Sequence, residues 1–332
     1  MAKGSVFVFD PLNVGPDVLS RWDLDLSYGV PVWATGRARK KMDFHEFIEG
    51  AQGHSAVLGA SGALITRDIM QALPDLRFIA KLGIGYEVID IDAATACGIV
   101  VTNTPVHSEV GLVAEHTVAL LLACLKQFHW YNTSYLRQGG WRNPEHLVGT
   151  LEGATVGVIG FGNIGQAVAR RLSSFGSRIL AFDVRDIEPT AAVEQVTLEE
   201  LLEQSDVVTL HAPPSPNGPL LTASRLRAMK EGAVLINTAR GALVDNVALC
   251  ELLGTGHLSG VGADVFAPEP PPEDDGLLKA PNTFLTPHVA AWNERVRVEM
   301  VELALSSLLT LFESGRPANV VNPEVFEKGL RS

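Results

Sequence analysis

The sequence predicts an α/β protein built from two doubly wound parallel-sheet units. Short β-branched runs alternate with helical segments almost throughout the 332 residues, which is typical of parallel sheets covered by helices. One long helical stretch without a strand separates two such series. The chain is 46% hydrophobic and 19% charged, so it can bury sizeable cores and lacks the composition of a disordered protein.

The first series of strands lacks a closing helix of its own. Its predicted strands are SVFVF, VPVWA, SAVLGA, RFIAKLG and IVVTNT, with helical pieces such as TRDIMQALPD between them. The last predicted helix, from Asn293 to about Ser314, carries apolar residues on one face. We therefore expect this helix to return and pack on the N-terminal unit, so that the active cleft lies between the units.

The second series follows a predicted helical stretch, without a strand, from Val110 to about Arg137. Its predicted strands are TVGVIG, RILAFD, VVTLHA, AVLINTA, GVGADV and TFLTPH. The proline-rich segment APEPPPEDDG, Ala267 to Gly276, is predicted to be a loop rather than a linker, because strand patterns continue on both sides.

Charge and hydropathy argue against nucleic acid and membranes as partners. With 38 acidic and 26 basic side chains the net charge is −12, and such a chain repels nucleic acid and anionic lipid unless basic residues cluster. We interpret the basic run RARKK, Arg37 to Lys41, as a solvated loop. The apolar run from Thr117 to Leu125 is shorter than the ~20 residues of a membrane span and predicts a buried helix.

Cysteine usage predicts a cytoplasmic protein. Cys97, Cys124 and Cys250 lie far apart without redox or metal-ligand spacing, which is typical of reduced structural thiols. The N-terminal MAKGSVFVFD runs directly into a strand pattern, so we expect no signal peptide. No metal site is expected.

A glycine-rich turn predicts a dinucleotide site. TVGVIGFGNIGQAVARRL holds G-x-G-x-x-G at Gly160, Gly162 and Gly165, between an apolar strand and an amphipathic helix. The first glycine permits the tight turn, the second lets the backbone approach a pyrophosphate, and the third lets the helix pack closely on the strand. Asp183 ends the next strand, where its carboxylate can bind both ribose hydroxyls and repel a 2′-phosphate. NAD is therefore favoured over NADP, a preference that Arg185 weakens slightly.

Three further stretches at predicted strand ends supply a cation, carboxylates and an imidazole. INTARGALVD contains Arg240, GADVFAPEP contains Asp264 and Glu269, and TPHVAAW contains His288. Taken singly, the arginine could form a surface ion pair, the glutamate could be solvent-exposed and the histidine could be an ordinary core or surface residue. Ligands bind beyond the carboxyl ends of strands in open parallel sheets, so we expect the four side chains to converge on the nicotinamide.

An arginine, a glutamate and a histidine together suit the reduction of a 2-oxo acid. Arg240 can bind the carboxylate bidentately and polarise the ketone. His288 can donate a proton in one direction and accept it in the other, because histidine titrates near neutral pH. Glu269 can bond the far imidazole nitrogen, fix the tautomer and favour the protonated form. Asp264 could hold the nicotinamide carboxamide.

The sequence resembles the D-isomer-specific 2-hydroxyacid dehydrogenase family from about Ser55 to Pro317. The family's motifs occur in its order, as Gly160–Gly165 with Asp183, Asn237–Asp245, Asp264–Pro270 and Pro287–His288. The resemblance implies an NAD-dependent oxidoreductase that reduces a small 2-oxo acid to the D-2-hydroxy acid. It also implies a Rossmann cofactor domain (105–288) inserted in a flavodoxin-like substrate domain (1–104 and 289–332).

The resemblance assigns roles to individual residues. Arg240 would bind substrate, Glu269 would orient the histidine, and His288 would be the acid/base. The expected cofactor contacts are Gly160, Gly162, Asn163, Ile164, Gly165, Asp183, Pro213, Thr238, Ala239, Arg240, Asp264 and His288. Backbone N–H groups near Ile84 and Gly85 would bind the substrate carboxylate. Members usually dimerise through the cofactor domain, partly by a helix like VAEHTVALLL, which implies a homodimer.

Several positions depart from the family's pattern. Glu87 and Val88 replace a common Asp-Asn pair, and Gly218 and Pro219 replace a common Thr-Arg pair. Trp292 stands where small residues are frequent. If this side chain lines the cleft it favours an apolar or aromatic substrate; the alternative is that it packs between helices.

Two other functions remain as alternatives. Phosphoglycerate-type relatives usually carry an arginine in the turn after SAVLGA, which here reads Ala60-Ser61-Gly62, with Arg67 the first cation beyond it. We therefore rank 3-phosphoglycerate below glyoxylate, hydroxypyruvate or phenylpyruvate, and formate or phosphite lower still. An NADH-sensing, corepressor-like interaction protein is the alternative of another class, although retention of all three catalytic residues favours an enzyme.

Overall fold

The computed structural model describes residues 4–34, 42–188 and 193–331. The chain divides into two compact units: unit 1 comprises Met1–His107 and Trp292–Ser332, and unit 2 comprises Ser108–Ala291. The basic run Arg37–Lys41 lies outside the described residues.

Each unit contains one all-parallel sheet. The strands of unit 1 are β1 (Gly4–Val8), β2 (Leu24–Tyr28), β3 (Ala56–Gly59), β4 (Phe78–Lys81) and β5 (Val100–Thr102). The strands of unit 2 are β6 (Thr155–Ile159), β7 (Arg178–Phe182), β8 (Val193–Gln195), β9 (Val207–Leu210), β10 (Ala233–Asn237), β11 (Leu258–Ala263) and β12 (Thr283–Leu285). The fold class predicted from the sequence, two parallel-sheet α/β units, is confirmed.

The strand orders identify both sheets as doubly wound. Unit 1 has the order β2-β1-β3-β4-β5, and unit 2 has the order β12-β11-β10-β9-β6-β7-β8. The first is the flavodoxin-like order, and the second is the dinucleotide-binding order extended by one strand. In unit 2 the order reverses between β6 and β9, so the carboxyl ends of these strands form the crevice where ligands of such sheets bind.

Helices connect the strands. They are α1 (Pro16–Leu19), α2 (Phe44–Ala51), α3 (Arg67–Ala72), α4 (Ile91–Ala96), α5 (His107–Leu125), α6 (Thr133–Arg137), α7 (Asn163–Ser173), α8 (Leu198–Gln204), α9 (Ala223–Arg227), α10 (Asn246–Thr255), α11 (Gly276–Lys279), α12 (Glu294–Phe312) and α13 (Val325–Lys328). A 3₁₀ turn at Gly241–Leu243 precedes α10.

The last long helix completes the core of unit 1, as the sequence predicted. Asn293 caps α12 by accepting a hydrogen bond from the N–H of Arg295. Ala304 and Leu308 of α12 are buried in one cluster with Val6 of β1 and Leu58 of β3. The N-terminal sheet is therefore covered by a helix that follows the whole of unit 2 in the chain.

The predicted strand VPVWA is wrong. Its residues, 30–34, form a loop in which the N–H of Ala34 donates to the side chain of Asn13 over 3.0 Å. The second strand is instead LDLSY, with only Leu24 fully buried. It lies at the edge of the sheet, where one side faces solvent and apolar and polar residues alternate. Pro31, which lacks an N–H, also makes a strand at 30–34 unfavourable.

The predicted helical stretch from 110 to 137 contains no strand, and the structure divides it into two helices. Helix α5 ends at Leu125, and Gln127 adopts a left-handed conformation with φ of 51°. A second helix, α6, begins after Asn132, whose side chain accepts the N–H groups of Ser134 and Tyr135. The break follows from this capping asparagine, a start signal inside a segment of otherwise good helix formers.

Helix α5 is long and apolar enough to cross a membrane by length and composition alone, with a hydropathy of 1.5. Buried helices of globular domains pass the same test. Leu120 and Leu121 of α5 are buried in one cluster with Val156 and Val158 of β6. The part of α5 that packs on the sheet is therefore a core helix of unit 2.

Candidate active site

The glycine turn joins β6 to α7. Gly160 has φ of 87°, and a Cβ atom on Gly165 would overlap the carbonyl oxygen of Gly160. Gly162 caps α7 without a side-chain hydrogen bond, and a Cβ there would meet no atom within 4 Å. The N–H groups at Asn163 and Ile164 thus begin a helix beside open space, which suits a pyrophosphate.

Asp183 follows the carboxyl end of β7 and supports this turn. Its Oδ2 accepts the N–H of Phe161 at 2.8 Å, and its Oδ1 accepts the N–H and Nε of Arg185 at 3.1 and 3.3 Å. Burial would raise the pKa of Asp183, but these hydrogen bonds and the arginine charge outweigh it and lower the pKa. The carboxylate is therefore ionised at neutral pH, with a guanidinium beside it.

The loop after β10 carries Arg240. Asn237 shapes this loop: its Oδ1 accepts the N–H of Ala239 at 3.0 Å, and its Nδ2 donates to the carbonyl of Arg240 at 2.9 Å. A Cβ atom on Gly241 would overlap the backbone of Phe266. Glycine at 241 thus lets the arginine loop pack closely against the loop that contains Glu269.

His288 and Glu269 form a short hydrogen-bonded pair. Nδ1 of His288 lies 2.6 Å from Oε2 of Glu269, and the other carboxylate oxygen accepts the N–H of Phe266 at 3.0 Å. Burial would raise the pKa of Glu269, but the hydrogen bond and charge of His288, the Phe266 N–H and the charge of Arg240 together lower it. Three predicted catalytic residues are therefore brought together in unit 2.

Asp264 holds the backbone on which His288 stands. Its two oxygens accept hydrogen bonds from the hydroxyl of Thr286 at 2.6 Å and from the N–H groups of Val289 and Ala290 at 2.9 and 2.8 Å. Its carbonyl accepts the N–H of His288 at 2.8 Å. His288 has φ of 53°, a strained conformation for a non-glycine residue. The hydrogen bonds around it hold this backbone conformation and thereby fix the position from which the imidazole extends.

Two residues of this network were not predicted from the sequence. His116 of α5 approaches the hydroxyl of Thr286 through Nε2 at 2.9 Å and lies 3.5 Å from Oδ1 of Asp264. The sequence TPHVAAW did suggest His288, but nothing in it marks Thr286. For His116, the available signal was its position beside Glu115, just before the apolar run of the predicted helix.

The remaining predicted cofactor residues follow the same edge of the sheet. Pro213 comes after β9, and Thr238 and Ala239 come after β10. Thr238 is buried, and its hydroxyl bonds that of Thr117 at 2.8 Å. His211, at the end of β9, bonds the hydroxyl of Thr209 at 3.0 Å, and burial lowers its pKa to about 3. An uncharged imidazole therefore lies next to the glycine turn.

The predicted substrate loop belongs to unit 1 and follows β4. Gly83 has φ of 101°, and its N–H donates to Thr104 at 2.7 Å, while the carbonyl of Ile84 accepts the amide of Asn103 at 2.9 Å. Among the described residues, the N–H groups of Ile84 and Gly85 have no hydrogen-bond acceptor. These donors suit a carboxylate.

Trp292 does not pack between helices as one alternative supposed. Its side chain is 55% exposed, and the guanidinium of Arg297 lies 5.0 Å from its ring centre. The same guanidinium lies 5.7 Å from the ring of Trp33. Two exposed tryptophans of unit 1 thus lie beside a partly buried arginine.

Fold and site together define a dinucleotide-dependent oxidoreductase: a glycine turn and an aspartate at the next strand end on one doubly wound sheet, with an arginine, a glutamate and a histidine at its carboxyl edge. Residues 118–290 match the model of the D-isomer specific 2-hydroxyacid dehydrogenase NAD-binding domain. The chain belongs to this family. The predicted family and cofactor, NAD, are confirmed, and the chain is an NAD-dependent 2-hydroxyacid dehydrogenase.

Individual relatives have known activities. A glyoxylate reductase from Korarchaeum cryptofilum is 41% identical over 84% of this chain and 86% of its own length. A glycerate dehydrogenase from Methylorubrum extorquens is 38% identical over 83% of this chain and 88% of its own length. The crystal structure of D-lactate dehydrogenase from Aquifex aeolicus, complexed with NAD and lactic acid, matches with a TM-score of 0.81 and 27% identity, covering 96% of this chain and 99% of that one.

Proposed function

We propose that this enzyme reduces a small unphosphorylated 2-oxo acid, of the glyoxylate or hydroxypyruvate type, to the D-2-hydroxy acid with NADH. The observation that carries the proposal is the 2.6 Å pair of His288 and Glu269, with the charge of Arg240 acting on the same glutamate. Two relatives named glyoxylate reductase and glycerate dehydrogenase support the substrate class.

The glycine turn, Asp183 and the start of α7 would hold the dinucleotide, which would supply the hydride when bound. Arg240 holds the substrate carboxylate and polarises the ketone through its N–H groups. Reduction of the carbonyl carbon would leave the π electron pair of the C=O bond on the oxygen, which then needs a proton. Nε2 of His288 donates its proton to that oxygen, because Nδ1 is already occupied by Glu269.

We assign substrate binding to residues 1–104 and 289–332, and cofactor binding to residues 105–288. The support in the first region is the loop at Ile84 and Gly85, whose N–H groups lack acceptors among the described residues. Two backbone donors can orient a carboxylate in the same way as donors in other anion-binding loops.

A phosphorylated substrate fits this chain less well. The turn that follows β3 directs the N–H groups of Ala60, Ser61 and Gly62 at one carboxylate oxygen of Asp10, at 3.1, 3.0 and 3.1 Å. Asp10 is fully buried. The carboxylate of Asp10 therefore already occupies these donors, so they are not available to a substrate phosphate.

A spectrophotometric panel tests the proposal. NADH oxidation is followed with glyoxylate, hydroxypyruvate, phenylpyruvate and 3-phosphohydroxypyruvate, for the wild type and for His288→Asn. We expect turnover with at least one unphosphorylated acid and a loss of about 10²-fold or more in kcat in the variant. Phosphohydroxypyruvate as the best substrate would overturn the substrate class. NADH binding without turnover of any acid would point to an interaction protein.

We further propose a cytoplasmic homodimer. Large apolar side chains are exposed along residues 128–148 of unit 2, namely Phe128, Trp130, Leu136, Trp141, Leu147 and Val148. Large apolar side chains exposed along one segment are typical of an interface. The three cysteines are free thiols, as expected in a reducing compartment.

Light scattering after size exclusion tests the dimer. Trp141 and Leu147 are 71% and 76% exposed, so replacing both with Glu should yield monomers without unfolding the unit. Val247→Glu is the matched control, because Val247 is 72% exposed on α10, outside this segment. A monomeric wild type would contradict the proposal.

A further inference from the structure

A surface cleft of unit 1 combines three arginines with three phenylalanines. The cleft has a volume of about 260 Å³, and its walls include Arg77, Arg316, Arg331, Phe78, Phe312 and Phe326. It lies where β4 begins and α12 ends, since Phe78 is the first residue of the strand and Phe312 the last of the helix.

Two of the guanidinium groups are stacked on phenyl rings. Cζ of Arg77 lies 5.3 Å from the ring centre of Phe78, and Cζ of Arg316 lies 4.2 Å from that of Phe326. Neither guanidinium has an ion pair or a hydrogen-bond acceptor within residues 4–34, 42–188 and 193–331. Stacking holds the guanidinium plane through the cation–π interaction and leaves its N–H edge available for an anion.

The third guanidinium is fixed differently. Nη1 of Arg331 donates to the carbonyl oxygens of Met70, Leu73 and Leu76 at 3.0, 2.8 and 3.2 Å. These carbonyls belong to the end of α3 and the turn after it. The arginine is thereby anchored by one nitrogen, while the charge of the group remains at the cleft.

The charge of the cleft opposes that of the chain. The protein carries a net charge of −12, yet none of the described residues that line the cleft is acidic. Like charges gathered in one place repel one another, and a bound anion removes that repulsion. Three guanidiniums match a doubly charged group better than a single carboxylate.

The geometry points to a binding site for a small organic phosphate, and we propose that the cleft binds a phosphate monoester that carries an apolar or aromatic body. Arginine forks bind phosphate oxygens bidentately, and the rings of Phe312 and Phe326 supply an apolar wall. The volume lies below the ~300–1,000 Å³ of typical drug-sized pockets, so the ligand is small.

This cleft is distinct from the proposed active site. It lies at the amino end of β4, whereas the loop at Ile84 and Gly85 follows the carboxyl end of the same strand. Four residues of strand separate the two ends by roughly 10 Å. The proposal therefore does not depend on the proposed function, and the reductase assay does not test it.

Isothermal titration calorimetry with phenyl phosphate tests the proposal, using the full chain with saturating NADH so that the dinucleotide site is filled. We expect saturable binding at about 1 mM or below, weakened about tenfold or more by the double variant Arg77→Gln/Arg316→Gln. The matched control, Arg142→Gln/Arg170→Gln, removes two exposed arginines of unit 2 and should leave the affinity unchanged.

Inorganic phosphate is the second probe, and it should bind more weakly than phenyl phosphate because it lacks the apolar body. Equal affinity for the two probes would overturn the proposal that the ligand carries an apolar or aromatic body. Absence of saturable binding, or wild-type affinity in the cleft variant, would overturn the site itself. If the double variant fails to fold, Arg316→Gln alone, an exposed position, should still weaken binding about threefold or more.

Discussion

Nδ1 of His288 lies 2.6 Å from Oε2 of Glu269, and the glutamate is the member of the pair that stays charged. Its lowered pKa keeps the carboxylate ionised at neutral pH. The pair thus presents an imidazole that has a fixed tautomer and a fixed negative neighbour throughout the neutral range.

Replacing Glu269 with Gln should change the pH profile of the enzyme. The amide keeps a hydrogen-bonding group but removes the negative charge that favours the protonated imidazole. We expect the alkaline fall in 2-oxo acid reduction to move to lower pH, and kcat to drop by about tenfold or more at pH 8. Steady-state rates from pH 5 to 9 measure both effects. An unmoved alkaline limb would show that the pairing does not govern proton donation.

Replacing Asp264 with Asn should loosen the backbone around His288. In the variant, the side-chain NH2 group would replace one of the carboxylate oxygens that accept the N–H groups of Val289 and Ala290. Two donors would then face each other. Loss of a buried hydrogen bond to a charged group costs about 1.5–3 kcal/mol, so we expect a lower thermal midpoint together with a lower kcat. Thr286→Val, which removes one hydroxyl donor from the same carboxylate, should have a smaller effect. Wild-type kcat in Asp264→Asn would contradict a positioning role.

The choice between NADH and NADPH should depend on Asp183 and its neighbour. The lowered pKa of Asp183 keeps a negative charge where a 2′-phosphate would lie. We expect Asp183→Ala to raise the NADPH/NADH ratio of kcat/KM by about tenfold or more, because the repulsion disappears. Arg185→Gln should lower the ratio, since it removes the guanidinium that pairs with the carboxylate. If the NADPH/NADH ratio of kcat/KM is unchanged in both variants, the ribose 2′-hydroxyl does not bind at Asp183.

His211 should make the fold sensitive to mild acid. Its pKa is about 3 in the folded protein and near 6.5 in the unfolded chain, so the unfolded state binds more protons between these values. Stability is then unaffected above pH 6.5 and falls as the pH drops toward 3. By this linkage the wild type loses about 2 kcal/mol between pH 7 and pH 5.

Urea unfolding of the NAD-free protein at both pH values measures this loss. His211→Gln should show a loss smaller by about that amount, whereas His45→Gln, at an exposed position, should behave as the wild type. If His211→Gln keeps the wild-type dependence, another group is responsible for it.

The sequence predicted the buried strands well and missed two of the four edge strands. Fully buried strands such as β9 and β10 appear as short apolar runs bounded by turn residues. The edge strands β2 and β8 expose much of their surface, so they carry no apolar run; the first was misplaced and the second was not predicted. Hydrophobic periodicity indicates which residues are buried, so a strand whose side chains are largely exposed shows only a weak periodic pattern.

Motifs placed Arg240, Glu269 and His288 near one sheet edge. The hydrogen bonds that support these residues could not be predicted from the sequence. The oxygens of Asp264 accept mostly backbone N–H groups, and any residue type supplies such a donor. His116 joins the network from a helix far along the chain. Contacts of this kind depend on the packing of α5 on the sheet, which no local pattern encodes.

Unit 2 interrupts unit 1 in the chain, and this arrangement sets an order of events during synthesis. The apolar face formed by β1, β3 and β4 is covered by α12, which the ribosome completes only after the whole of unit 2. The inserted unit is contiguous and can reach its native state first. A nascent chain that stalls before residue 294 would therefore present an unsealed sheet to chaperones, while its dinucleotide-binding portion is already folded.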